Sequence, residues 1–113
     1  MAASFNCIAY FFKDRQRIGE LEKEFILRRN IAQKVLADPE YLVYLHNLSM
    51  DNLENKNFFY NSLCLEASKL DDEYRRIMGK QSSPNYEQLM TMYRGVKNII
   101  RREIEHRRRC SEV

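Results

Sequence analysis

Apolar residues recur at steps of three and four in two long stretches of this 113-residue chain, a spacing that lines one face of an α-helix. The longest regular stripe consists of Tyr86, Leu89, Tyr93, Val96 and Ile100. An earlier stripe consists of Ile18, Leu21, Phe25, Ile31 and Val35. No segment alternates apolar and polar residues with the period of two that marks a half-buried strand. The sequence therefore predicts an all-α protein.

Breaks between the stripes predict where the helices end. Asp38-Pro39 separates the first two helices, because Asp favours an N-cap and Pro favours the first helical position. The loop is expected at Gly79–Pro84, which is rich in turn-forming residues. Helices are expected at about 14–36, 41–48, 58–70 with one more turn through Met78, and from Pro84 or Asn85 onward. The polar residues 49–57 are expected to hold a turn or a short cap. The expected fold is a small bundle of four to five helices with a long C-terminal helix.

Three regions follow from this pattern. Residues 1–13 are expected to form an ordered, mildly apolar N-terminal arm that packs on the body, 14–106 the helical bundle, and 107–113 a basic C-terminal tail. The arm lacks the basic leader and the small-residue cleavage site of a secretory signal, and it is too short to span a bilayer. Within the last helix, Gly95 costs about 1 kcal/mol relative to Ala, and a close helix crossing would explain it.

Composition supports the same fold and bears on the compartment. The chain has only 3 Gly and 2 Pro, which favours long helices with few turns. Cys7, Cys64 and Cys110 are far apart, odd in number and without a CxxC pair, so a reducing compartment is expected. The net charge of +3 is concentrated between Arg94 and Cys110, where seven Lys or Arg stand against two Glu.

Residues able to support catalysis are few and scattered. Asp71, Asp72 and Glu73 are neighbours that a helix would direct to different faces, so they are interpreted as a solvated first turn. His46 has no nucleophile or carboxylate constellation around it and is interpreted as a hydrogen-bonded histidine. Cys64 is expected to be buried as a small apolar residue. We predict that the protein is not an enzyme and holds no metal or cofactor.

Two kinds of side chain suggest binding. Tyrosine combines an apolar ring with a hydroxyl group that favours contact with solvent or a hydrogen-bond partner. Aromatic side chains from separate helices can line a groove that binds an extended or proline-rich peptide. The expected partner-binding residues are Pro39, Tyr41, Tyr44, Phe58, Phe59, Tyr60, Tyr74 and Tyr86; a core rich in rings is the alternative interpretation. Phosphate contact is suggested by Arg101, Arg102, Arg107, Arg108 and Arg109, although cations that complement a helix C-terminus would look the same.

The segment Leu36–Leu42, Leu-Ala-Asp-Pro-Glu-Tyr-Leu, resembles the Leu-Ala-Asn-Pro-x-Tyr-Leu signature of the Mediator complex subunit 31 family. Glu22–Phe25 is similar to the acidic Glu-Leu-Glu-Phe entry of that family. Further similarities are carried by Phe59, Asn61, Leu63, Asp71, Glu73, Tyr74, Pro84, Leu89 and Met90. The family has Tyr-Trp where this chain has Ser68-Lys69, so the chain resembles a divergent member.

This resemblance implies a nuclear, non-catalytic scaffold subunit in the middle module of the Mediator transcription coactivator. The family partner is the N-terminal part of Mediator subunit seven, an extended segment with prolines that wraps the bundle. The alternative function, from the arginines, is a small helical nucleic-acid-binding protein, with dimerisation through the Tyr86–Ile100 stripe as an option. Neither function involves a small-molecule substrate or a membrane.

Overall fold

The computed structural model describes the backbone of residues 2–111 and the side chains of residues 12–111. These residues form four helices and no strand: α1 (Ala2–Ala37), α2 (Glu40–His46), α3 (Met50–Met78) and α4 (Pro84–Ser111). The prediction of an all-α bundle of four to five helices with a long C-terminal helix is confirmed. The molecule is elongated, with extents of 76 × 24 × 19 Å.

Three predicted helix boundaries are wrong: the start of α1, the start of α3 and the end of α4. Helix α1 begins at Ala2 instead of about residue 14, and it runs unbroken through the expected arm. Whether the arm packs on the body depends on side chains before Phe12, which lie outside the described residues. Helix α4 continues through residues 107–111 of the expected tail.

Helix α3 is one continuous helix from Met50, although a turn or a short cap was expected over residues 49–57. Only Ser49 lies outside it, where its hydroxyl accepts a hydrogen bond from the Asn52 amide at 3.2 Å and caps the helix. The buried apolar residues of α3 step by seven, and Asp51, Asn52, Glu54 and Asn55 around the first of them are exposed. That buried series is Leu53, Tyr60, Ala67 and Tyr74.

The remaining helix ends follow local rules. The Asp38 carboxylate accepts a hydrogen bond from the Glu40 amide at 2.9 Å, so Asp38 caps α2 and Pro39 occupies the bend as predicted. Gly79 ends α3 with φ of 77°, the left-handed conformation that glycine adopts without a Cβ clash. The Ser83 hydroxyl accepts from the Asn85 amide at 3.1 Å, which places the α4 cap immediately before Pro84.

Helix α4 is the centre of the bundle, since α1, α2 and α3 all pack against it more than against one another. Its stripe is buried at Leu89, Tyr93, Val96 and Ile100, opposite Leu21 and Phe25 of α1 and Leu53 of α3. Ion pairs Arg17–Glu73 and Arg28–Glu66 show that α1 runs antiparallel to α3. Because α1 and α3 touch sparsely, a furrow remains between them on the side away from α4.

A polar cluster anchors the α3–α4 loop. Asp71 is 3% exposed, which contradicts its interpretation as part of a solvated turn. Its carboxylate accepts a hydrogen bond from the Ser82 hydroxyl at 2.8 Å and pairs with Arg75 at 3.2 Å. Glu22 of α1 accepts a hydrogen bond from the Asn85 side chain, which ties the start of α4 to α1.

Of the helices in residues 2–111, none combines the length and apolarity that crossing a bilayer requires.

Candidate functional site

The furrow between α1 and α3 contains a concentration of exposed apolar side chains. Leu27 and Ile31 on α1 are 56% and 57% exposed, and Phe59 on α3 is 51% exposed. These side chains line one pocket with Leu63 and with the floor residues Tyr60 and Tyr93. We call this surface the α1–α3 groove.

The floor of the groove consists of two rings that belong to the core. Tyr60 and Tyr93 are 8% and 3% exposed, and their ring centroids lie 6.1 Å apart in an edge-to-face arrangement. Ala32 of α1 also lines the groove and is 2% exposed. The depression is therefore part of the fold and needs no opening motion.

One end of the groove is bounded by an ion-pair network. Arg28 of α1 donates to Glu24 at 2.8 Å and to Glu66 of α3 at 3.1 Å, which bridges the two walls. Burial opposes the charge on Arg28, but hydrogen bonds from its guanidinium to Glu24 and Glu66 outweigh it and raise its pKa. Burial also raises the pKa of Tyr93 beneath this network, so the Tyr93 hydroxyl keeps its proton at neutral pH.

The other end of the groove opens onto α2 through an adjoining pocket that shares Phe59. The ammonium of Lys56 lies 5.6 Å from the centroid of the Tyr44 ring and 5.9 Å from that of Phe59. The rings of Tyr41 and Tyr44 are 5.7 Å apart. Burial raises the pKa of both Tyr41 and Tyr60, which keeps their hydroxyls protonated and able to donate.

The structure brings together only part of the predicted partner-binding set. Tyr44 and Phe59 line the groove and its adjoining pocket, Tyr60 forms the floor, and Tyr41 stacks beside Tyr44. Pro39 is exposed at the bend before α2. Phe58 is 72% exposed but lies about a quarter turn from Phe59, on the face of α3 opposite the core.

Tyr74 and Tyr86 lie elsewhere, around the ring of Phe25. Their centroids are 6.2 and 5.6 Å from that ring, and Phe25 is fully buried. Burial raises the pKa of both tyrosines. Tyr74 is buried in the core and Tyr86 packs against it partly buried, which is the alternative interpretation of the aromatic residues.

Sequence reasoning missed the α1 wall of the groove. Ile31 was expected to point into the core, and it points outward, while Leu27 was not singled out at all. Leu27 and Ile31 are four residues apart and therefore share a helix face. That spacing was visible in the sequence. It could not indicate that no other helix covers this face of α1.

The five arginines of the alternative function are not equivalent. Arg107 donates to the carbonyls of Leu45, His46 and Leu48, at 3.0 and 2.7 Å for the first two, and so caps the C-terminal end of α2. Arg108 pairs with Glu54 at 3.3 Å. Arg101, Arg102 and Arg109 are exposed. The Tyr86–Ile100 stripe is covered by α1 and α3 within the single chain.

Candidate chemical groups in the described residues are dispersed. Within the part of the chain searched, no three His, Cys, Asp or Glu side chains are grouped as metal ligands. His46 Nδ1 lies 3.3 Å from Glu103, and His106 Nε2 lies 3.8 Å from the exposed Cys110 thiol. Cys64 is half-buried, and burial raises the pKa of its thiol.

No protein-family model, curated protein or solved structure matches this chain.

Proposed function

We propose that this chain is a non-catalytic interaction protein whose α1–α3 groove binds an extended segment of a partner protein. The observation that carries the proposal is the exposure of Leu27, Ile31 and Phe59 in one pocket over a buried aromatic floor. Isolated exposed apolar residues are ordinary, whereas a grouped set in a concave surface is characteristic of interaction sites.

The expected mode of binding follows from the side chains available. Apolar or proline side chains of the partner would bury against Phe59 and the Tyr60 floor, which removes apolar surface from water at about 25 cal/mol per Å². The Tyr44 hydroxyl at the groove mouth would hydrogen-bond to the backbone of the partner. Such a small domain also gains stability from a ligand that binds only its folded state.

We further propose that the partner assembly is the nuclear Mediator middle module. This part of the proposal rests on the Leu36–Leu42 motif and its similarity to Mediator complex subunit 31. In that assembly the groove would receive the N-terminal segment of Mediator subunit seven, and Pro39 would hold the bend that brings Tyr41 and Tyr44 beside the groove.

Co-expression with the N-terminal segment of Mediator subunit seven tests this proposal. We expect the two chains to co-elute and the melting temperature of this chain to rise. A Leu27→Asp variant should lose the complex, because it places a carboxylate on the apolar wall. Leu65→Asp is the matched control, since Leu65 is 66% exposed on α3 but does not line the groove. Separate elution with an unchanged melting temperature would contradict the Mediator assignment.

The nucleic-acid alternative retains one supporting observation. Arg101, Arg102 and Arg109 are exposed on α4 and are available to phosphates. Arg107 and Arg108 are engaged by the protein itself, which leaves a smaller cationic surface than the sequence suggests. The groove therefore supports partner binding better than α4 supports phosphate binding.

A further inference from the structure

We infer that the segment bound in the α1–α3 groove carries a carboxylate, and that this carboxylate is recognised by Lys56. The inference rests on the proposed function and adds the charge pattern of the partner. It follows from the charges at the two ends of the groove. The cation at one end, Arg28, is paired with two carboxylates, whereas the cation at the other end, Lys56, makes no ion pair with the described residues.

Lys56 is the cation at the α2 end. It is half-buried, and its ammonium lies near two aromatic rings. The residues three and four positions from Lys56 along α3 are its neighbours on the helix surface, and none of them is acidic: Asn52, Leu53, Phe59 and Tyr60. Among the described residues Lys56 makes no ion pair.

The nearest carboxylate on the same helix is directed elsewhere. Glu54 lies two residues before Lys56, and neighbours at that spacing face different sides of a helix. Glu54 pairs instead with Arg108 of α4 at 3.3 Å. The pocket around Lys56 is completed by the amide side chains of Asn52 and Asn55 and by Tyr44, which can all donate hydrogen bonds.

The opposite end of the groove has the reverse character. There Arg28 is shared between Glu24 and Glu66, so two carboxylates face one guanidinium. An acidic side chain of a partner would be repelled at this end and attracted at the Lys56 end. Because ten residues of helix separate Lys56 from Glu66, the two ends are about 15 Å apart. An extended segment covers that distance in about four to five residues.

The recognised segment is therefore a short apolar peptide that is acidic toward α2 and neutral or basic toward Glu66. The Lys56 ammonium would bind the carboxylate at a partly water-excluded site, where an ion pair is stronger than on an open surface. The apolar residues between the two ends would cover Leu27, Ile31 and Phe59. Charge selects and orients the partner, while apolar burial holds it.

Selection from a random library of 12-residue peptides displayed on phage, with the full chain as bait, tests the inference. We expect selected peptides to combine clustered apolar residues with Asp or Glu. The best synthetic peptide should bind Lys56→Met about tenfold more weakly, since that variant removes one charge-assisted contact and keeps the apolar stem. Selection on Lys56→Glu should favour Lys or Arg instead. Lys69→Glu, an exposed change elsewhere on α3, is the control and should leave the acidic preference intact.

The outcomes separate this inference from the proposed function. Peptides that lose binding to Leu27→Asp but show no acidic preference, or that bind Lys56→Met as well as the wild type, would overturn the role of Lys56 and leave the groove in place. If no peptide is selected, or if every selected peptide binds Leu27→Asp unchanged, the groove is not a peptide-binding site and both proposals fail.

Discussion

Gly95 of α4 faces the side chain of Leu36 at the end of α1, and a Cβ atom at position 95 would lie 3.2 Å from Leu36 Cδ1. This is the close helix crossing that the glycine inside α4 led us to expect. The contact matters because α1 and α4 form the most extensive helix pair of the bundle. A larger residue at either position would push the two helices apart or displace Leu36.

We predict that Gly95→Ala stabilises the protein less than Gly19→Ala does. Gly19 lies inside α1 with nothing within 4 Å of an added Cβ, so its replacement should gain about 1 kcal/mol from helix propensity. At Gly95 the crowding with Leu36 offsets that gain. Urea unfolding of both variants measures the difference.

The Leu36→Ala background serves as the control, because it removes the crowding atoms. In this background Gly95→Ala should recover most of the gain seen at Gly19. Equal gains at both glycines in the wild-type background would show that the α1–α4 crossing is looser than the 3.2 Å approach indicates.

Arg107 should contribute to stability and not to nucleic-acid binding. The guanidinium of Arg107 donates hydrogen bonds to three carbonyls at the end of α2. Replacement by Met removes these bonds, and we expect the free energy of unfolding to fall by about 2 kcal/mol. Hydrogen exchange should show faster opening of α2 amides in this variant. Arg109→Met removes a cation from the exposed end of the same helix and should change stability by no more than about 0.5 kcal/mol. Similar effects from the two variants would contradict the capping role of Arg107.

Stability should fall as the pH is lowered from about 5 toward 3. Hydrogen bonds from Arg17 lower the pKa of Glu73. Burial alone would raise the pKa of Glu103, but hydrogen bonds from Arg107 and His46 outweigh it and lower that pKa. In the unfolded chain the glutamates have a pKa of about 4.3, so acidification protonates the unfolded state first. The stabilisation is lost as the pH falls through the lower pKa values of the folded state.

Urea unfolding at a series of pH values checks this dependence. The Glu73→Gln variant should be less stable than the wild type near pH 6, with the gap closing toward pH 3. Glu105→Gln alters an exposed residue on α4 and is the control. A pH dependence left unchanged by Glu73→Gln would show that the Arg17–Glu73 pair does not stabilise the fold.

Polar substitutions in the groove should leave the lone chain folded. Leu27→Gln and Ile31→Gln change side chains that are more than half exposed, so we expect shifts within about 0.5 kcal/mol. Leu21→Ala, at a position on the same helix that is 1% exposed, should cost about 3 kcal/mol. Thermal unfolding compares the three. A large loss at Leu27 would mean that the groove is closed in solution.

Direct nucleic-acid binding should be weak and should not involve Arg107. Titration with duplex DNA or RNA at two salt concentrations is the measurement, because phosphate contacts make affinity fall steeply with salt. Combined Arg101→Gln, Arg102→Gln and Arg109→Gln substitutions remove three exposed cations of α4. Tight binding at physiological salt that these changes abolish would favour the nucleic-acid function over the groove.

Helix class, the breaks between α1 and α2 and between α3 and α4, and the main buried stripe were predictable from local spacing, whereas the starts of α1 and α3 were not. The stripe from Tyr86 to Ile100, the caps near Asp38 and the loop at Gly79 depend on neighbours three or four residues away, and such neighbours are visible in a sequence. Polar residues at 50–57 were mistaken for a turn because the buried positions of α3 step by seven, which leaves few apolar residues in any short window.

The candidate site depended on contacts that no local pattern encodes. Leu27 and Ile31 share a helix face, yet only the sparse packing of α1 against α3 leaves that face open. Tyr60 and Tyr74 are equally buried on one helix, but Tyr60 forms the groove floor and Tyr74 joins the core around Phe25. Periodicity determines which residues share a face of one helix, whereas the relative placement of α1, α3 and α4 determines which faces are covered.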